Sequence, residues 1–453
     1  MRITMMSKKS SVRMSCPKFP AKGPSAVLAI LFCILAVSSM AVMRTSAQKP
    51  ATGTDSPSSA ARNAALVAAT NEVLQETSQL RELAVLHPVQ SSAQSREEIE
   101  HMIVANLDRE TTAADMHASE VTLKRLGLVP VNFSLRPLIV RLLTEQVAGY
   151  YEPKEQQFHL ADWIDVDGQK PIMAHELTHA LQDQHFNLRR FEKWPKGDSD
   201  AELATHALIE GDATLAMTFY VSSNPARALT FLKSFLAAET SSQELDKAPR
   251  ALRETLLFPY QEGLTWTRAL YQNGGWSAVS RAFKTLPQSS EQILHPPKYF
   301  SHEAPVKLSL PDLHLSLGRG WRRIETDVNG EWSFYLILDE FLKSAPTSKQ
   351  AAAGWAGDRY ATYENPSGQT AYISLSVWDT EKDAREFFDA YVKRTNLRYA
   401  DARVASERPT AWSARTSEGN VTIELRGNRV LALEGIPATA NRRAMIALLW
   451  RSV

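Results

Sequence analysis

Along the first two-thirds of the chain, apolar residues recur three and four positions apart, the spacing that gathers them on one face of a helix. Leu66, Val73, Leu80 and Leu83 mark one such stretch over 66–86. Others run over 99–107, over 113–126 with Gly127 as a stop, and over 138–147 after Pro137. The period then shortens. Residues 149–151 and 158–160 read as two short strands around a polar turn. Helical spacing returns behind Pro171, which suits a helix start, with Ile172, Ala180 and Leu181 on the apolar side. Further helices are expected over 201–220, 249–257, 263–271 and 276–284. After about residue 305, strand-like runs at 359–363, 371–377, 421–425 and 430–433 alternate with helices at 381–394 and 438–450. This pattern predicts an α+β protein: a mainly helical part with a small edge hairpin, then a smaller α+β module with its own core.

The ends of the chain alter this picture. Residues 1–47 hold 7 of the 51 basic residues and none of the 50 acidic ones. An apolar run over 26–43 and the small residues Thr45, Ser46 and Ala47 complete the pattern of a secretory signal peptide cut after Ala47. The alternative is an uncleaved membrane anchor through 26–43. Either way the expected location is extracytoplasmic, secreted or periplasmic. The stretch 48–61 is rich in Ser, Ala, Thr and Pro and reads as a linker. Both cysteines, Cys16 and Cys33, lie in the leader, so the remainder has no disulfide and no thiolate ligand. Its 44 basic against 50 acidic residues leave a net charge of −6, which gives no electrostatic case for nucleic acid. About 400 residues exceed what one core usually serves. The expected division is a main domain at 62–305 and a C-terminal domain at 306–453.

Within the helix behind Pro171 stands His175-Glu176-Leu177-Thr178-His179, the pattern H-E-x-x-H. Histidines four apart on a helix share a face, about 6 Å apart along the axis. Two imidazoles so placed can share one Zn²⁺ through bonds of about 2 Å. Glu176 stands about 100° around the helix, where a general base for a bound water is needed. A catalytic zinc takes three protein ligands and keeps one position open. Three residues are candidates for the third ligand. Glu210 lies on the helix expected over 201–220. His185 has the spacing of H-E-x-x-H-x-x-G-x-x-H, but Gln182 occupies the glycine position that lets the chain turn back. His206 lies one turn before Glu210, on a stripe that Glu202 extends.

The run from Ala174 to Gln184, followed by Glu210-Gly211-Asp212-Ala213, resembles the gluzincins, metallopeptidases in which H-E-x-x-H is completed by a glutamate on a following helix. More narrowly it is similar to a poorly characterised family of bacterial extracytoplasmic metallopeptidase-like proteins. That likeness extends to Phe258-Pro259-Tyr260-Gln261-Glu262-Gly263, to Ser290-Glu291-Gln292-Ile293-Leu294-His295-Pro296 and to Gly354-Trp355-Ala356-Gly357-Asp358-Arg359-Tyr360, in patches over 140–365. The resemblance implies a zincin-like main domain, Glu210 as third ligand, and a strand before the motif helix able to hold an extended peptide, at 149–151 or 158–160. Thermolysin-like members place an aspartate four residues after the ligand glutamate to buttress a histidine. Here that position is Thr214, and Asp212 points about 200° away from Glu210 on a regular helix.

The expected activity is hydrolysis of peptide bonds, with one Zn²⁺ per chain, a peptide or protein as substrate, and Glu176 moving the proton from water to the leaving amine. Tyr260 and His295, each in a polar, Pro-flanked segment, are the candidates for a second donor to the developing oxyanion. Two other readings use the same residues. One is an inactive zinc-stabilised binding or scaffold protein with the C-terminal module as its recognition surface. The other is a zinc hydrolase of a non-peptide amide.

Overall fold

The computed structural model describes residues 59–146, 149–163, 166–191, 194, 197–229, 231 and 243–452. The expected signal peptide and most of the expected linker lie outside them. Among the described residues, no helix is long and apolar enough to cross a membrane.

The protein is α+β. Its principal helices are α1 (Ser59–Arg81), α2 (Arg96–Glu110), α3 (Ala113–Leu126), α4 (Leu135–Gln146), α5 (Val166–Phe186), α6 (Ser199–Ser222) and α7 (Arg250–Ala282), then α8 (Gly330–Leu342), α9 (Ala345–Ala352), α10 (Glu381–Arg398) and α11 (Arg442–Arg451). The strands are β1 (Gln90–Gln94), β2 (Gly149–Glu152), β3 (Gln157–Ala161), β4 (Arg322–Asp327), β5 (Trp355–Glu364), β6 (Thr370–Trp378), β7 (Arg403–Arg408), β8 (Ala411–Thr416), β9 (Gly419–Arg426) and β10 (Arg429–Ile436). Local chemistry sets several boundaries. Ser95, Thr112 and Thr380 each form a capping box with the acidic residue three positions on, which satisfies the first free N–H groups of α2, α3 and α10. Gly127 closes α3 in the left-handed conformation, φ 74°.

Three expectations change. The hairpin of β2 and β3 gains a third strand, because β1 pairs parallel with the other side of β3, giving the order β1-β3-β2. Pro171 lies inside α5 and not at its start. The three helices expected between 249 and 284 form one long element, α7, broken only where Gly274 and Gly275 leave helical geometry (φ −173° and 61°).

The C-terminal module is a seven-stranded sheet of order β4-β5-β6-β10-β9-β8-β7, with every neighbouring pair antiparallel. One face packs on α8 and α10 through Phe334, Trp378, Phe387 and Ile423. The other is covered around β5, β6 and β10 by Met445 and Leu449 of α11. Hydrophobic packing does not break at residue 305, since one buried cluster joins Leu208 of α6 and Trp266 of α7 to Phe334, Tyr372 and Trp378. A separate cluster, with Leu66, Val73, Phe158, Leu177, Leu181 and Tyr220, lies among α1, the small sheet, α5 and α6. Each fully buried side chain of this kind contributes about 1.5–3 kcal/mol.

Helix α6 is the axis of the arrangement. Nearly every residue from Asp200 to Met217 is buried, polar ones included, so it is enclosed on all sides. It crosses α7 very closely. A Cβ on Gly211 would lie 2.2 Å from the Gly263 carbonyl oxygen, and one on Gly263 would lie 2.4 Å from that of Ala207. Only glycine permits backbones to meet at this distance.

Candidate metal and catalytic site

The motif lies in the middle of α5, on the side facing α6. Apolar Met173, Ala174, Leu177, Ala180 and Leu181 are buried in the cluster shared with α1 and the small sheet, and this fixes the rotation of the helix. His175 and His179, one turn apart, are then directed at α6, where Glu210 meets them. Glu210 is buried at mid-helix and not at a frayed end.

Three donor atoms converge. Nε2 of His175 lies 3.1 Å from Oε2 of Glu210, Nε2 of His179 lies 3.5 Å from the same oxygen, and the two Nε2 atoms are 3.2 Å apart. A tetrahedral zinc with bonds of about 2.0–2.1 Å separates its ligands by about 3.3 Å. The triangle therefore has the edge length such an ion requires, and its nitrogen and oxygen donors suit zinc. Oε1 of Glu176 lies 4.0 Å from Nε2 of His175 and is buried without a hydrogen-bond partner. Its other oxygen accepts the Tyr151 backbone N–H at 3.1 Å.

The charges in this buried space depend on one another. Burial alone would raise Glu210, but the two histidines overcome it and hold the carboxyl down at about 2. Burial opposes protonation of His179, yet Glu210 and Glu176 carry it up to about 9. Burial pushes Glu176 up to about 8, with His179 and the Tyr151 N–H pulling the other way. Without a metal, the Glu210 carboxylate is balanced by a protonated His179 while Glu176 is held neutral, so a divalent cation entering the site would displace protons from both.

Behind the histidines runs a polar chain that the sequence did not reveal. Gln182 Nε2 donates to the Ile209 carbonyl (3.0 Å) and to Asp212 Oδ2 (2.9 Å). With its amide nitrogen committed to two acceptors, Oε1 must accept, and it meets Nδ1 of His179 at 2.9 Å. Once the Nε2 proton is lost, as metal binding requires, His179 keeps its other proton on Nδ1 and presents the Nε2 lone pair to the site. Asp212 is anchored in turn by Arg81 of α1, through Nε (2.5 Å) and a second guanidinium nitrogen (3.1 Å), with both side chains wholly buried. Arg81 also lies over the Trp276 ring, 4.5 Å from its centroid. Gln182 is the departure from the H-x-x-G pattern, and Asp212, about 200° around the helix from Glu210, connects to His179 through it. The signal available in the sequence was a buried-type glutamine one turn after the second histidine.

The other candidates fall as follows. His185 bonds the Ala84 carbonyl at 2.7 Å, at the C-terminal end of α5 and turned to the loop after α1. His206 is buried one turn below Glu210, and burial lowers it to about 4 against the pull of that carboxylate. Burial, with Asp327 and Asp198 nearby, raises Glu202 well above its ordinary range, and it belongs to the sheet end of α6. Tyr260 is brought to the motif: its ring stacks at 6.2 Å from that of His175. Its segment is the interior of α7, buried, and not the irregular stretch expected around Pro259.

His295 is not brought there. It bonds Glu331 at 2.9 Å, and the neighbouring Ser290 N–H is tied to Asp200, ten residues down α6 from Glu210, about 15 Å along the axis. Of the two strands offered for peptide binding, β3 is paired on both sides, while β2 is an edge strand whose Tyr151 N–H is turned to Glu176.

Residues 318–445 match a family described as a domain of unknown function (DUF8575), a segment that starts just before β4 and ends inside α11. It contains none of the motif residues. No curated protein and no solved structure matches the chain.

Proposed function

We propose that this protein is a zinc-dependent peptidase of gluzincin type, with His175, His179 and Glu210 as metal ligands and Glu176 as general base. The observation that carries the reading is the triangle of Nε2, Nε2 and Oε2 atoms with edges of 3.1–3.5 Å, beside a buried carboxylate oxygen that has no partner of its own. Zinc, when bound there, supplies a Lewis acid that polarises a carbonyl and acidifies water.

The chain's residues do the rest. Glu176, held by the Tyr151 N–H through one oxygen, would be ionised by the positive charge of a bound zinc, leaving the other oxygen to take a proton from water and return it to the leaving amine. Gln182 keeps His179 in the tautomer that offers Nε2. β2 is the edge strand nearest Glu176, and an extended peptide lying along it would have to replace Glu176 as acceptor of the Tyr151 N–H. Tyr260, buried next to His175, stands where a hydroxyl could steady a developing oxyanion. A purely structural zinc site would have no use for Glu176 and would close with a fourth protein ligand.

The test is Glu176→Gln, assayed on an unfolded protein substrate with zinc content measured in parallel. Zinc should be retained while turnover falls by at least about a hundredfold, the lower bound of general-base catalysis. Full turnover in the variant would remove the proposal.

A further inference from the structure

On the C-terminal module, one face of strands β7 to β9 is only partly covered among the described residues. Alternation sends Trp412, Ala414, Val421, Ile423 and Leu425 into the core, and leaves Ser406, Ser413, Thr422 and Glu424 on the opposite side. Helix α11 covers only the neighbouring strands, so between it and this face runs a groove of about 600 Å³. Five arginines line it: Arg408, Arg426, Arg442, Arg443 and Arg451. The single acid among the lining residues, Glu424, is already bonded to Arg426 (3.1 Å) and to the indole N–H of Trp450 (2.9 Å).

We propose that this groove is a binding site for a small organic polyanion carrying phosphate or carboxylate groups. With Arg426 paired to Glu424, four further cations around one concavity repel one another, and an anion relieves that repulsion. Arginine's planar fork matches carboxylate and phosphate oxygens bidentately, which a random basic surface of lysines would not. The volume falls in the range of small-molecule sites and is far larger than a bare inorganic ion needs. The site stands apart from the motif residues and does not depend on the proposed hydrolysis.

The experiment is calorimetric titration of the full chain with pyrophosphate, with citrate and, separately, with poly-glutamate. Saturable one-to-one binding of pyrophosphate or citrate is expected, and which of the two binds tighter assigns the ligand to the phosphate or the carboxylate source. The double substitution Arg442→Gln with Arg443→Gln should weaken binding by about tenfold or more, as loss of charge-assisted hydrogen bonds does. Glu176→Gln should leave it unchanged. Circular dichroism would check that each variant keeps its fold. Absence of saturable binding by both small anions, binding of poly-glutamate alone, or equal affinity in the arginine variant would overturn the proposal.

Discussion

Replacing Gln182 by Ala tests the polar chain behind the metal site. The substitution deletes the acceptor for His179 Nδ1 (2.9 Å) and the donor to the Ile209 carbonyl (3.0 Å) and Asp212 (2.9 Å). Asp212 keeps its bidentate partner Arg81, so the aspartate is not left as a bare buried charge. The imidazole N–H is left unpaired in a fully buried place, at a cost of about 1–3 kcal/mol. The ring is also free to rotate or to exchange tautomers, which removes its Nε2 lone pair from the triangle. Side chains that hydrogen-bond the far nitrogen of a metal-bound histidine are worth about 10- to 100-fold in metal affinity. Competition titration of zinc against a chromophoric chelator should therefore show Gln182→Ala weaker than the parent by that factor, with a lowered unfolding midpoint. Thr214→Ala, at the position where the thermolysin pattern puts its buttress, should leave affinity unchanged. Zinc affinity within twofold of the parent in Gln182→Ala would refute the role assigned to the chain.

Other outcomes follow from the same geometry. Gly263→Ala would set a Cβ 2.4 Å from the Ala207 carbonyl oxygen. It must push α6 and α7 apart by about 1 Å, which should cost 1–3 kcal/mol in urea unfolding and lower turnover more than binding, since Glu210 and Tyr260 ride on those two helices. Burial alone would raise Glu434, but Arg394, Arg398 and Arg125 hold it at about 2. Its folded value lies below the ordinary 4.5, so its stabilisation of about 3 kcal/mol is present above pH 4.5 and fades as pH falls towards 2. Glu434→Gln should be less stable at pH 7 and should lack that part of the acid limb in denaturant titrations; a parallel pH profile would refute the assignment. Tyr260→Phe should lower the turnover number with zinc content unchanged, and wild-type turnover would remove Tyr260 from the site.

The sequence carried the motif because its information is local: two histidines and a glutamate within five residues must share a helical face if the segment is helical. Glu210 was one of three candidates on residue spacing, sharing a stripe with His206 and Glu202, and the gluzincin resemblance singled it out. The chain from His179 through Gln182 and Asp212 to Arg81 was not legible. It joins three helices, with Asp212 and Arg81 separated by 131 positions and Gln182 and Asp212 by 30. Helical angle also misled there. Asp212 points away from Glu210, but Gln182 is long enough to reach it together with the Ile209 carbonyl.

Strand β1 escaped notice because Gln90–Gln94 (QSSAQ) has no β-branched or aromatic residue. It becomes a strand because the free edge of β3 offers it partners. His295 was proposed from its polar setting alone, and that setting is satisfied by Glu331. The arginine groove is a product of strand order. Arg408, Arg426 and Arg442 are scattered in sequence and meet only because β7, β8 and β9 lie side by side next to α11.

The most direct test of the central claim is the zinc content per chain, by elemental mass spectrometry, for the folded parent and for Glu210→Ala. The account requires close to one zinc per chain in the parent and its loss in the variant, with the fold retained. A folded parent without zinc, or a Glu210→Ala variant that holds zinc as firmly as the parent, would contradict it.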